Sequence, residues 1–215
     1  MTGDYKTKYK KQINKTHYMG LAYSSQERWN SYFHQLALIA KTKGRSVLEV
    51  GVGSGVVAQE LLRRGFEVKT LDIAEDLKPD VLGSVTNIPL PDKSFDIVIA
   101  AEILEHIETS DLPQALREIA RVSKHSVVIS VPKPGYVFST IIKIPLIKRF
   151  SVLFKIPFFW KTHVFNGEHY WELGKKGTSV SWFLNHAKDA GLKLVEKKSY
   201  ADDPAHLFFL LTVAK

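Results

Sequence analysis

The sequence predicts an α/β fold whose doubly wound sheet is mostly parallel, and three features lead to that prediction. Apolar runs of strand length alternate with amphipathic helical runs from residue 46 to residue 131. A glycine-rich turn links the first of these strands to the helix that follows it. The last two strand runs are joined by a short Ala-Asp-Asp-Pro-Ala turn, which suits an antiparallel hairpin at the sheet edge. A chain of 215 residues is long enough for one such domain, 1–215.

A helix is predicted ahead of the first strand. Ser24 or Ser25 can cap its first turn, and it should end near Gly44. Its apolar residues recur every three or four positions and are expected to form one buried stripe: Trp29, Tyr32, Phe33, Leu36 and Ala40.

Seven strands and three further helices follow. The helical runs cover 56–64, 110–122 and 179–190, and a glycine follows the first and the last of them. The run 95–101 is apolar on both faces, which is typical of a strand covered by helices on both sides. The predicted strands are 46–50, 67–73, 81–85, 95–101, 126–131, 192–200 and 206–214.

Composition and charge exclude several function classes. The chain has no cysteine, so disulfides, thiolate metal sites and cysteine nucleophiles are excluded. Its net charge of +8 favours acidic partners, but no recognition motif supports nucleic acid, and none is expected. Residues 1–15 carry five lysines and no apolar segment, so a cytoplasmic location is expected. Residues 1–23 are expected to be a basic tail, or a lid that orders over an anionic ligand.

The glycine-rich turn is the first indication of a ligand. Val47–Gly55 reads V-L-E-V-G-V-G-S-G, with glycines at 51, 53 and 55 and Glu49 inside the strand. Such a turn presents unpaired backbone N–H groups at the carboxyl end of a sheet. Asp72 follows about twenty residues later, where a carboxylate can bind ribose hydroxyls or cap a helix. Nicotinamide-dependent enzymes share these features, although their dinucleotide-binding motif has a third glycine at the position that Val56 occupies here.

A second motif indicates which class of cofactor-binding enzyme the sequence resembles. Residues 83–107 read G-S-V-T-N-I-P-L-P-D-K-S-F-D-I-V-I-A-A-E-I-L-E-H-I. Together with the glycine turn and Asp72, this run resembles the class I methyltransferases of the "type 11" (Methyltransf_11-like) group over residues 47–132. The resemblance implies a Rossmann-like seven-stranded sheet, S-adenosyl-L-methionine as cofactor and S-adenosyl-L-homocysteine as product.

The resemblance also implies a set of cofactor-binding residues. The methionine end would lie against Glu49 and the glycines, the ribose against Asp72, and Glu102 near the sulfonium. Ser84 stands where the group usually has an aspartate that binds the adenine amine, so that contact would lack a charge. The full predicted set is Glu49, Gly51, Gly53, Gly55, Asp72, Ile73, Ser84, Val85 and Glu102.

Candidate catalytic residues lie in a polar, aromatic segment between His163 and Gly174. His169 is the first choice for a base, and His163 and Tyr170 are further substrate contacts; alternatively, these groups tie down a loop. The two histidines lack a clear third ligand, so no metal is expected. Glu105 and His106 resemble a structural element of the group, which leaves His106 as a pocket residue only.

Acceptor specificity is expected to come from an insert at 133–176, a substrate cap after the fifth strand. Its apolar part, 136–160, is interrupted by lysine, arginine and proline and is too short to span a membrane. It either caps the active site or rests on lipid or a partner protein. The leading hypothesis is a methyltransferase for a small, apolar or lipid-like acceptor. The alternatives are a protein or peptide methyltransferase, a nicotinamide oxidoreductase and a non-catalytic cofactor-binding module; the sequence does not predict the oligomeric state.

Overall fold

The structure is a computed structural model that describes residues 8–9, 15–20, 23–146 and 150–214. The helices are α1 (Lys15–Met19), α2 (Gln26–Ile39), α3 (Val56–Arg63), α4 (Leu112–Val122) and α5 (Val180–Asp189). The strands are β1 (Ser46–Val50), β2 (Glu67–Asp72), β3 (Val81–Leu82), β4 (Phe95–Ala101), β5 (Ser123–Pro132), β6 (Gly135–Ile142), β7 (Phe150–Pro157), β8 (Leu192–Tyr200) and β9 (Asp203–Val213).

The main sheet has the order β3-β2-β1-β4-β5-β9-β8. The first five strands run parallel, and β9 pairs antiparallel with both β5 and β8. The predicted fold class is therefore confirmed. Since β1 lies between β2 and β4, the carboxyl ends of these three strands meet at one edge of the sheet, where open α/β folds bind ligands.

The core lies on both faces of the sheet. One face of β1 and β4 packs against α4 and α5, through residues such as Leu48, Leu116 and Phe183. The opposite face packs against α2 and α3, through residues such as Leu38 and Leu61. Helices therefore cover both faces, which accounts for the continuous apolar run of β4.

The predicted buried stripe of α2 is wrong. Trp29 and Phe33 are 53% and 65% exposed, and Ala40 is the exposed C-cap, whereas Tyr32 and Leu36 are partly buried. The residues actually buried are Ser31, His34, Gln35, Leu38 and Ile39. Polar contacts turn the helix this way: the ring of His34 stacks on Tyr200 at 3.5 Å and its Nε2 lies 2.8 Å from Asp202 Oδ1.

Helix ends follow the predicted caps. The Ser25 hydroxyl, and not that of Ser24, accepts a hydrogen bond from the Arg28 N–H, and the Ser179 hydroxyl does the same for Trp182. Four strands differ from the predicted lengths: β2 has six residues, β3 has two, β5 has ten and β9 has eleven.

The apolar part of the insert forms a separate two-stranded antiparallel ribbon, β6–β7. Phe138 pairs directly with Phe154, and these side chains are 64% and 61% exposed. The ribbon begins at Gly135, where a side-chain carbon would lie 2.4 Å from the Ile156 carbonyl oxygen. In the part of the chain that the structure describes, no helix is long and apolar enough to cross a membrane.

An ionic clamp holds the segment between β3 and β4 against α4. Arg121 donates hydrogen bonds to both carboxylate oxygens of Glu118 and to the carbonyls of Ile88 and Leu90. Glu118 is 8% exposed and also accepts a bond from the Ile88 N–H. Arg121 is the main reason that the pKa of Glu118 lies below its usual value.

Replacing Arg121 by leucine should leave the Glu118 carboxylate buried without its partner. We expect the free energy of unfolding to fall by about 3 kcal/mol, measured by urea denaturation. Arg117→Leu is the matched control, because Arg117 lies on the same helix and bonds only the exposed Gln114 among the described residues. Its effect should stay within about 0.5 kcal/mol, and equal losses in the two variants would contradict the clamp.

Candidate functional site

The glycine turn after β1 has a backbone that other residues rarely adopt. Gly51, Gly53 and Gly55 all have positive φ, at 86°, 52° and 73°. At Gly51 a side-chain carbon would lie 2.0 Å from the Ile103 side chain, so the segment after β4 packs directly on the turn. The turn therefore requires glycine at this position for space as well as for conformation.

Two adjoining open cavities lie at this edge of the sheet, with about 770 and 1090 Å³ of empty space. The first has mainly apolar walls, including Leu71, Ile73, Leu77 and Val85. The second is polar. They share one wall: Tyr18, Val50, Gly51, Asp72, Glu102, Ile103 and His106. A ligand with an apolar and a polar end can therefore extend from one cavity into the other.

Asp72 lies where the two cavities meet. Its Oδ2 accepts a hydrogen bond from the Val52 N–H and its Oδ1 accepts one from the Ala74 N–H, both at 2.8 Å. Burial raises its pKa. The carboxylate thus fixes both the glycine turn and the start of the next helical turn, and each oxygen keeps a lone pair for a ligand hydroxyl.

Glu49 is an acid buried in the wall of the polar cavity. It is 7% exposed, and burial raises its pKa to about 8. Among the described residues, its Oε2 has no hydrogen-bond partner. A buried carboxylate oxygen of this kind is costly unless a ligand donor completes it, and a ligand ammonium group would do so.

Glu102 follows β4 in a left-handed backbone conformation, with φ of 55°. Such strain in a residue other than glycine is common at functional sites. The Ser130 hydroxyl donates to Glu102 Oε1 at 2.7 Å, and Oε2 lies 3.2 Å from His206 Nε2. Burial alone would lower the pKa of His206, but Glu102 and Asp203 outweigh it and raise the pKa.

A cluster of three donor groups lies at the polar cavity: Glu105, His106 and His169. One ligand atom from each lies within 4.8 Å of the others. Glu105 is fully buried, and burial together with Glu102 raises its pKa well above the usual value. Burial and the neighbouring His169 lower the pKa of His106.

Eight of the nine predicted cofactor-binding residues line one or both cavities. Gly55 does not; it is the N-cap of α3. Ser84 lines the apolar cavity, but its hydroxyl bonds the Thr86 hydroxyl at 2.9 Å and accepts a bond from the Thr86 N–H. These contacts leave the Ser84 side chain less able to bind a ligand amine.

Of the three predicted catalytic residues, only His169 lines a cavity. His163 contacts the His169 carbonyl at 2.9 Å and Lys175 Nζ at 3.0 Å, while the Tyr170 ring packs on Tyr9 and Phe165. These contacts fit the alternative that both residues tie down the loop. Several residues of the polar cavity were not predicted as site residues, among them Arg28, Gln35, Glu105 and His206. The spacing of Arg28 and Gln35, two helical turns apart, was the only sequence signal for the first pair.

The described part of the N-terminal segment lies over the cavities. His17, Tyr18 and Tyr23 pack edge to face with ring centroids 5.1–5.8 Å apart, and all three line the polar cavity. Tyr9 lines the apolar cavity and its hydroxyl bonds Asp111. Residues 1–7, 10–14 and 21–22 of the predicted lid, which include Tyr5, lie outside the described residues. That this segment acts as a lid stays a prediction.

Comparison with protein families matches residues 48–131 to a family described as methyltransferase domain, Methyltransf_11. Residues 3–77 also match a family described as guanidinoacetate N-methyltransferase. Two curated relatives resemble parts of the chain. A malonyl-[acyl-carrier protein] O-methyltransferase of Serratia marcescens is 33% identical over 97 residues, which cover 40% of this chain and 37% of that protein. A ubiquinone biosynthesis O-methyltransferase of Neisseria meningitidis is 27% identical over 176 residues, 74% of this chain and 68% of that protein. The chain thus spans well under half the length of the first relative.

Solved structures share the fold. A protein from Pyrococcus horikoshii OT3 superposes with a TM-score of 0.61 at 18% identity, over 94% of this chain and 99% of that one. An S-adenosylmethionine-dependent methyltransferase from Clostridium acetobutylicum has a TM-score of 0.59 at 10% identity, over 93% and 96%.

The contact between Glu102 and His206 can be tested by titration. Replacing Glu102 by glutamine removes the negative charge that favours the imidazolium, whereas burial, which favours the neutral ring, remains. The pKa of His206 should therefore fall in Glu102→Gln, measured by NMR of its ring nitrogens. The control is Glu108→Gln, an exposed change that should leave the His206 titration as it was. An unchanged pKa in Glu102→Gln would show that the contact is absent in solution.

Proposed function

Because residues 48–131 make this chain a member of the Methyltransf_11 group of class I methyltransferases, we propose that it is an S-adenosylmethionine-dependent methyltransferase for a small molecule. One observation carries the proposal: an apolar and a polar cavity meet at Asp72 and share the glycine turn as a wall. An apolar cavity that opens into a polar one has the polarity expected for an adenosine joined to an amino acid.

The residues present fit the cofactor. The proposed adenine site is the apolar cavity with Ile73 and Val85, and Asp72 would accept hydrogen bonds from the ribose hydroxyls. The unpartnered Oε2 of Glu49 suits the ammonium group of the methionine end. Glu102 would lie near the sulfonium, where its negative charge is favourable. Once bound, the cofactor supplies an activated methyl group.

The chain itself has to position the acceptor and exclude water from the polar cavity. His17, Tyr18 and Tyr23 border that cavity and are proposed to cover it when the cofactor is bound. His169 lies on the same cavity, next to His106, with ring centroids 5.1 Å apart. We therefore assign to His169 the contact with the acceptor, and to His163 and Tyr170 the support of its loop.

The acceptor is proposed to be apolar or lipid-like. The support is the β6–β7 ribbon, which starts three residues after Pro132 in the wall of the polar cavity and exposes apolar side chains on both strands. Such a surface is unusual for a protein that works only in water. Basic residues lie at both ends of the exposed region, at Lys143 and Lys161, and they would favour an anionic lipid surface.

Cofactor binding tests the main proposal. Calorimetry should detect binding of S-adenosylhomocysteine and none of NAD. Asp72→Asn should weaken that binding at least about tenfold, because it removes the charge that strengthens bonds from the ribose hydroxyls. Asp189→Asn, at the exposed end of α5, is the matched control and should bind as the unaltered chain does. Binding of NAD alone would overturn the proposal.

Vesicle flotation tests the lipid surface. The chain should float with vesicles that contain anionic lipid, and Phe138→Ser combined with Phe154→Ser should reduce the bound fraction, because it removes two exposed rings from the ribbon. Phe33→Ser is the matched control: Phe33 is equally exposed, but on α2. If the ribbon variant floats as well as the control, the ribbon does not bind lipid.

A further inference from the structure

Glu105 is a carboxylate without a partner inside the site. Its side chain is fully buried, and neither Oε1 nor Oε2 has a hydrogen-bond partner among the described residues. Arg28 lines the same cavity but donates no hydrogen bond to Glu105. Burial makes ionisation of Glu105 costly, and buried carboxylates in proteins are normally paired with a cation or coordinate a metal, so this group points to a missing cation.

The two histidines next to Glu105 are oriented as metal ligands usually are. The Nδ1–H of His106 donates to the Glu168 carbonyl oxygen at 3.0 Å, and the Nδ1–H of His169 donates to Glu172 Oε1 at 3.2 Å. With the proton on Nδ1, each ring carries its lone pair on Nε2. A carbonyl or carboxylate that accepts the other N–H is the usual outer support of a metal-bound histidine.

We propose that Glu105, His106 and His169 form a binding site for a divalent transition-metal cation. Ligand atoms of the three residues lie within 4.8 Å of one another, and the donor set of one carboxylate and two imidazoles is that of zinc sites with an open position. All three residues line the polar cavity, so the remaining coordination position faces the space where the acceptor enters.

The metal would define the acceptor chemistry. A divalent cation held here would bind an oxygen atom of the acceptor, such as a hydroxyl group, and make it a stronger acid, so that its proton would leave to solvent before the N-terminal segment covers the cavity. His169 then acts on the acceptor through the metal. This role rests on the proposed methyltransferase function, but metal binding itself does not depend on it.

Metal binding can be measured directly on tag-free full-length protein stripped with EDTA. Co²⁺ should bind at one equivalent per chain, with visible absorption bands that report nitrogen ligands and a low coordination number, and Zn²⁺ should displace it in calorimetry. Glu105→Gln and His169→Ala should each weaken Zn²⁺ binding more than about 100-fold, and Glu172→Gln about 10–100-fold, because Glu172 only orients His169. The matched control is His125→Ala, an exposed histidine on β5 that should leave binding unchanged.

The outcomes separate this site from the proposed function. Glu105→Gln should fold about as stably as the unaltered chain, because it replaces a buried acid that is costly to ionise by a neutral amide of the same size, so a loss of binding there cannot be attributed to misfolding. Absence of stoichiometric Co²⁺ binding, or equal Zn²⁺ affinity in Glu105→Gln, His169→Ala and the control, would overturn the site. Asp72→Asn should retain the metal while binding S-adenosylhomocysteine at least about tenfold more weakly. Metal binding without any cofactor binding in the unaltered chain would overturn the methyltransferase proposal alone.

Discussion

The close packing of Ile103 on Gly51 is the constraint on which the rest of the site depends. A side chain at position 51 would collide with Ile103, and the Gly51 N–H donates to the Leu71 carbonyl at 2.7 Å. These contacts bring the ends of β1, β2 and β4 together in one wall. That wall faces both cavities. Four acidic residues therefore lie close together around them: Glu49, Asp72, Glu102 and Glu105.

The result is a site with four acidic side chains close together, and burial raises the pKa of three of them, Glu49, Asp72 and Glu105. Glu49 and Glu105 have unpartnered oxygens, while Glu102 is paired with His206 and Asp72 with backbone N–H groups. A folded chain tolerates such groups where a ligand compensates for them, since functional sites often sacrifice stability. Cations are the natural compensation, and the proposed ligands supply them: an ammonium and a sulfonium at one end, and a metal ion at the other.

The sequence predicted the sheet well because its signals were local. β4 was predicted at its observed bounds, since a strand buried on both faces has no polar interruption, and the glycine turn was recognisable because only glycine adopts its backbone. The face of α2 was predicted wrongly because its orientation depends on Asp202 and Tyr200, which are far away in the sequence. Periodicity shows that a stripe exists, but not which tertiary partners select it.

The cluster at Glu105 could not be predicted for the same reason. His106 and His169 are 63 positions apart, and the spacing within the insert suggested only two ligands. Only one of those two, His169, belongs to the cluster, and Glu105 and His106 joined it when the fold brought the 163–174 loop against the segment after β4, through the Tyr170 N–H bond to the Glu105 carbonyl at 2.8 Å. That bond fixes the position of His169, the next residue back along the chain.

The insert therefore contributes to the site through its polar loop, whereas its apolar ribbon projects from the same wall and exposes its side chains. The polar loop can thus be assigned to the reaction of the acceptor, through His169, and the apolar ribbon to binding the lipid surface from which the acceptor comes.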